Sequence, residues 1–137
     1  MNTITIETVV DTSIEKVWEM WTSPDHITGW AFASNDWTCP RAENDIRKNG
    51  RFLMRMEAKD GSTGFDFTGT YTEVTLFSSI SYTMDDGRTA SIIFEKINDN
   101  ETKVTETFEM EGENSEELQR GGWQSILDNF KKYTEAH

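Results

Sequence analysis

Ile4, Ile6, Thr8 and Val10 alternate with Thr5, Glu7 and Val9 near the start of the chain, the period-two pattern of a strand with at least one buried face. The period then lengthens. Thr12-Ser13-Ile14-Glu15 forms a capping box, and Ile14, Val17, Trp18 and Trp21 follow on one helical stripe, which predicts a helix ending near Thr22. Ser23-Pro24 reads as the N-cap and first residue of a second, short helix that turns Ile27 and Trp30 inward. Residues 31–49 have no sustained periodicity yet carry Phe32, Trp37, Cys39, Pro40 and Ile46, and irregular segments of this length are often functional.

Four or five further strands are expected, over 50–58, 65–74, 79–84, 88–96 and 102–110. Asp60-Gly61, Asp86-Gly87 and Asn98-Asp99-Asn100 tolerate positive φ and favour tight hairpins, so the strands form an antiparallel meander. A last helix opens at Asn114 or Ser115, with Glu116 and Glu117 favouring the positive end of its dipole. Leu118, Gly122, Ile126, Phe130 and Tyr133 form its apolar stripe, widened by Trp123 and Leu127. The order is β-α-α-β-β-β-β-β-α, six strands with a long helix last.

Phe52, Met54 and Met56 share a face opposite Arg51, Arg55 and Glu57, and Ile80, Tyr82 and Met84 repeat the pattern, so the sheet has a dry side and a wet side. The dry face and the helix stripe each need a cover. The economical solution is an α+β fold in which a curved six-stranded antiparallel sheet grips the C-terminal helix. No repeat or linker divides the 137 residues, so one domain spanning 1–137 is expected. Five Trp, eight Phe and three Tyr argue against disorder. A net charge of -12 repels phosphate backbones and anionic lipid, which argues against nucleic-acid binding. The short apolar runs cannot span a bilayer, the first residues lack a signal-peptide pattern, and the single Cys39 excludes an intrachain disulfide. A cytoplasmic protein, monomeric or a weak homodimer, is expected.

Five groups of residues now carry a resemblance. They are Ile14-Glu15-Lys16-Val17-Trp18; Thr22-Ser23-Pro24-Asp25-His26-Ile27 with Trp30; Asp45-Ile46-Arg47 before Asn49-Gly50-Arg51-Phe52; Gly69-Thr70-Tyr71-Thr72-Glu73-Val74; and Gly122-Trp123-Gln124-Ser125-Ile126-Leu127-Asp128-Asn129-Phe130. In this order and spacing the chain resembles the START-like or SRPBCC superfamily, which has the helix-grip (Bet v-like) fold. Within it, the chain is similar to bacterial proteins related to the C-terminal domain of the activator of heat-shock-protein ATPase. The resemblance implies a cavity scaffold shared by lipid-transfer domains, polyketide aromatases and cyclases, hormone receptors and co-chaperones, so it does not by itself select a reaction. Two positions depart from the family pattern: Trp30-Ala31 stands where a doubled Trp is usual, and Asn49-Gly50 where Gly-Gly is usual. Both fall near the expected cavity mouth. The eukaryotic co-chaperone also has a second domain without a counterpart in this sequence.

Candidate ligand-binding residues are Trp30, Trp37, Phe52, Met54, Met56, Phe67, Tyr71, Tyr82, Met84, Phe94, Glu106, Phe108, Trp123, Ile126, Leu127 and Phe130. The methionines are adaptable apolar lining, equally usable as core filler. Trp30 and Trp37 are placed at the rim and lid, whereas Trp18 and Trp21 are assigned to the packing of the first helix. By strict alternation Glu106 shares the inward face of Val104 and Phe108. Buried, it would be an anchor or a general acid-base with a raised pKa. A bulge or an edge position would instead turn it to solvent. Glu73 poses the same question near a strand end, and the Tyr71 and Tyr82 hydroxyls face either the cavity or water. Cys39 and His26 lack the third orienting group of a nucleophilic site, and the thiolate clusters and Asp-rich loops of metal sites are missing. No phosphate-binding glycine loop or nucleophile elbow is present. No metal and no cofactor are expected. The leading expectation is non-catalytic binding of a small hydrophobic molecule, a lipid, polyketide or aromatic. The alternatives are a cyclase-like enzyme using Glu106 and a co-chaperone-like module with a chaperone partner.

Overall fold

The computed structural model describes residues 2–137. Its elements are β1 (Thr3–Val10), α1 (Ile14–Thr22), α2 (Pro24–Ile27), β2 (Trp37–Asn44), β3 (Arg51–Ala58), β4 (Gly64–Thr75), β5 (Ser79–Met84), β6 (Thr89–Asn98), β7 (Glu101–Glu109) and α3 (Glu116–Ala136). The strands form one antiparallel sheet in the order β1-β7-β6-β5-β4-β3-β2. The helix-grip fold is present, with seven strands rather than six.

The additional strand, β2, lies within the segment read as irregular, and its own geometry explains why. It is an edge strand paired only with β3, and its register shifts between Thr38 and Arg41, around Cys39-Pro40. Before that bulge the odd residue Cys39 is buried; after it the even residues Ala42 and Asn44 are the more covered. A bulge that switches parity erases the alternation by which a strand is recognised. Pro40 is tolerated there because an edge position does not require its missing N–H.

Local chemistry closes the other elements as their residues dictate. Ser13 caps α1 by accepting from the Lys16 amide, and Ser115 caps α3 by accepting from the Leu118 amide. Gly61 and Gly87 take positive φ in the β3–β4 and β5–β6 turns. Asn49, which stands where the family pattern has glycine, has φ 69°, a conformation asparagine tolerates better than other side-chain-bearing residues. At Gly69 a Cβ would lie 2.7 Å from the Phe52 ring, so the glycine is what lets Phe52 lie flat across β4.

α3 packs over the concave face and along β1. Arg120, Gln124 and Lys131 donate to the carbonyls of Thr5, Glu7 and Val9 at 2.9, 3.4 and 2.7 Å. Its buried residues are Gln119, Leu127, Phe130 and Thr134. Leu118, read as part of the apolar stripe, is 62% exposed.

Candidate functional site

The interior divides into a filled half and a hollow half. Between β6, β7, α1 and the C-terminal half of α3, aromatic rings meet edge to face. Phe130 lies 4.8 and 4.9 Å from Trp21 and Trp30, and Phe94 lies 5.3 Å from Trp18. Between β3–β5 and the N-terminal half of α3 there is a cavity of about 330 Å³, in the size range of small-molecule pockets. Phe65 and Leu118 belong to its wall yet are 49% and 62% exposed, which marks them as its mouth.

Ten of the residues predicted from the sequence meet there: Trp30, Phe52, Met54, Met56, Phe67, Tyr71, Tyr82, Glu106, Trp123 and Ile126. Six do not. Phe94, Leu127 and Phe130 are buried in the filled half, and Met84 and Phe108 are buried outside the cavity wall. Phe108 is covered by the Trp123 ring, stacked at 3.9 Å with 8° between planes. Trp37, expected as a lid, is half-buried on β2 outside the cavity wall, with its ring 6.1 Å from that of Phe65. Strand alternation and the helical stripe put Met84, Phe94, Phe108, Leu127 and Phe130 on inward faces, but they do not distinguish packed interior from hollow interior. Trp21, assigned to helix packing, lines the cavity and packs on Trp30 as well.

Other wall residues went unrecognised in the sequence. Phe65 shares the parity of Phe67 and Tyr71, a signal that was available; Ile80 shares that of Tyr82. Gln119 lies one helical turn before Trp123, and its side-chain amide is tied to Glu111 and Asn114: Nε2 donates to both carbonyls, and Oε1 accepts from the Glu111 amide. Arg88, Glu111 and Asn114 come from connecting segments, where no periodicity points inward. Gly122 also faces the cavity, and a Cβ there would meet nothing within 4 Å.

Both escapes for Glu106 are closed. β7 lies between β1 and β6, so it is not an edge, and the pairing of Glu106 with Ile6 and Ile92 runs through regular register. The side chain is 6% exposed, and among the described residues none donates a hydrogen bond to it. Burial pushes its pKa up to about 8. Tyr82, two strands away, has no hydrogen-bond partner either; burial and then the negative charge of Glu106 hold its hydroxyl well above the usual phenol range. Tyr71 differs, because its hydroxyl donates to Asn44 Oδ1, and Asn44 Nδ2 in turn donates to the Thr22 carbonyl at 2.7 Å. This bridge ties β4 and β2 to the end of α1. Glu73 is turned outward: the register shifts between Tyr71 and Glu73, leaving Thr72 unpaired, and Glu73 stands opposite Ser81 on the wet face.

The Cys39 thiol is buried, and that burial raises its pKa; its Sγ lies against the Arg41 carbonyl, so nothing there activates a nucleophile. His26 Nδ1 and the Tyr133 hydroxyl are hydrogen-bonded at 2.9 Å, outside the cavity wall. Among the described residues no three His, Cys, Asp or Glu side chains cluster as metal ligands would, and no helix is long and apolar enough to cross a membrane.

A curved antiparallel sheet and a C-terminal helix closed around an apolar cavity define a helix-grip protein of the START-like class. The chain belongs to the family described as Activator of Hsp90 ATPase homolog 1-like protein, whose pattern matches residues 11–135. It is similar to the solution structure of a member of that family from Aeromonas hydrophila, with 45% identity and a TM-score of 0.92 over 98% of this chain and 93% of that one. It is likewise similar to a protein from Cytophaga hutchinsonii, with 46% identity and a TM-score of 0.84 over 99% and 94% of the two chains. A crystal structure from Nitrosomonas europaea, at 17% identity and a TM-score of 0.82 over 98% and 94%, shares the fold. No curated protein matches the chain.

Proposed function

We propose that this chain binds a small, predominantly apolar molecule in the cavity between its sheet and α3, without transforming it. The observation that carries the reading is the hollow itself. Well-packed interiors leave few voids larger than a water molecule, whereas a cavity of about 330 Å³ walled by Trp, Phe, Tyr and Met leaves much aromatic surface uncovered from one side. An apolar ligand would restore the missing contacts, and the flexible side chains of Met54 and Met56 would adapt to its outline. Leu118, Phe65 and Gly122 would admit it.

The test pairs a screen with a plug. Flavonoids, aromatic polyketides and fatty acids are added to the wild type, and melting temperature is followed together with the fluorescence of Trp21, Trp30 and Trp123. A ligand at about a hundred times its Kd stabilises by about 2.7 kcal/mol, an easily read change. Gly122→Leu fills the mouth and improves helix propensity by roughly 0.5–1 kcal/mol. It should therefore melt no lower than wild type while losing every ligand response. If no compound stabilises the wild type, or if the plugged variant responds equally, the reading fails.

A second reading has one specific observation in its favour. Glu106 titrates near neutrality inside an apolar wall, where a carboxyl is suited to general acid-base work on a folded polyketide. Turnover of a bound hit, lost in Glu106→Gln, would support it.

A further inference from the structure

Within the reading of the cavity as a binding site, we propose that its ligand carries a basic amine: an aromatic or otherwise apolar body with one ammonium head, for which Glu106 is the counter-ion. Glu106 is a polar side chain with more than nine-tenths of its surface buried, on the cavity wall, and no described residue satisfies it. Buried polar groups are ordinarily paired, so an unpaired one pointing into a cavity is complementary to something that enters. The charged and titratable groups sharing that wall decide what. Tyr71 on β4 and Tyr82 on β5 are held neutral by burial. Glu111, which follows β7, adds a second carboxyl. Arg88 is the wall's cation, and its charge is already paired: its Nε donates to Asp86, and its Nη1 to the Glu109 carbonyl. α3 contributes Leu118, Gln119, Gly122, Trp123 and Ile126 to the wall, all uncharged.

A carboxylate ligand would therefore meet two acidic groups and a guanidinium whose charge Asp86 already balances. A cation would meet an unpaired carboxyl, the Tyr82 hydroxyl and a wall rich in aromatic rings, which attract positive charge where their faces are open. The net charge of -12 draws cations toward the mouth as well. The proton balance is explicit. In the empty cavity below about pH 8 Glu106 holds a proton. The ammonium enters with its own three protons, the Glu106 proton passes to solvent, and a carboxylate–ammonium pair remains. Binding thus releases close to one proton near neutrality and none well above pH 8. A neutral ligand, accepting a hydrogen bond from protonated Glu106, releases none.

The experiment compares naphthylmethylamine, naphthylmethanol and naphthoic acid by calorimetry, in two buffers of different ionisation enthalpy. The expected result is that the amine binds roughly tenfold or more tighter than the alcohol, as charge-assisted hydrogen bonds allow, with naphthoic acid weakest. Amine binding should release about one proton near pH 7 and tighten up to about tenfold as Glu106 ionises. In Glu106→Gln the amine-to-alcohol ratio should fall to about one. The proposal is overturned if the alcohol or the acid binds as tightly as the amine, if no proton is released, or if the ratio survives in Glu106→Gln. It is also overturned if none of the three binds. In that case hits of other chemistry in the screen would leave the binding reading standing, and an empty screen would remove both.

Discussion

Replacing Glu106 by Gln should leave stability nearly unchanged in acid and raise it in alkali, so that its effect is read in how stability depends on pH. The carboxyl has a pKa of about 8 in the folded chain against an ordinary value of 4.5. Between those values the native state keeps a proton that the unfolded chain has lost, so this group makes stability fall as pH rises through the window. Its cost is absent below about pH 4.5 and complete above about pH 8. Each tenfold change in proton affinity is worth about 1.4 kcal/mol, so the full cost is about 5 kcal/mol, less whatever water entering the cavity returns to the carboxylate. Glutamine has nearly the same shape and no charge to bury. The variant and the wild type should therefore unfold at similar denaturant concentrations near pH 4.5. The variant should gain steadily from there to about pH 8, after which the difference levels off. At roughly 3 to 5 °C per kcal/mol for a chain of this size, the full cost corresponds to an alkaline gap of about 15–25 °C. Urea melts of both proteins at whole-number steps of pH make the measurement, and carboxylates common to both cancel in the difference. A difference that stays flat from about pH 5 to 9 would refute the burial argument, as would a carboxyl signal titrating near 4.5 by NMR.

Two further substitutions test the frame around the cavity. Asn44→Ala removes the group that joins the Thr22 carbonyl to the Tyr71 hydroxyl, leaving part-buried polar atoms without partners; a loss of about 1–3 kcal/mol in urea melts is expected, and adding Tyr71→Phe should recover part of it. A loss under about 0.5 kcal/mol would show that the bridge is replaced by water. Asn49→Val forces a β-branched residue to φ 69° and should cost about 1–2 kcal/mol, whereas Asn49→Gly should be neutral or slightly stabilising; equal stability of the two would contradict the conformational argument.

How much of this was legible beforehand depended on whether period and burial agreed. β1, β5 and β7 alternate without interruption, and their inward residues, including the costly Glu106, follow from spacing alone. β2 escaped because its bulge at Cys39-Pro40 inverts the alternation halfway along eight residues. The bulge at Thr72 likewise settled Glu73, which no local pattern could place. The cavity was legible as a face but not as a volume. Phe94 obeys the same alternation as Phe52 and Phe67, and Phe130 the same helical stripe as Ile126, and only the meeting of Trp18, Trp21 and Trp30 with Phe94 and Phe130 fills one half and leaves the other open. Packing between distant segments decides that, and it leaves no mark in a single segment.

The hydrogen bonds from Arg120, Gln124 and Lys131 to β1 also bear on how the chain survives its own synthesis. An uncovered strand edge is a template for a second chain, and here the covering side chains belong to α3, made more than a hundred residues after the strand they cover. β1 must wait for β7 to pair on one side and for α3 to shield the other, so the nascent sheet carries an open flank until nearly the whole chain is available. Shortening α3 from its C-terminal end would for that reason act first on aggregation, by removing Lys131 from the cover of β1, before it reaches Gln124, Arg120 and the cavity wall of the N-terminal half.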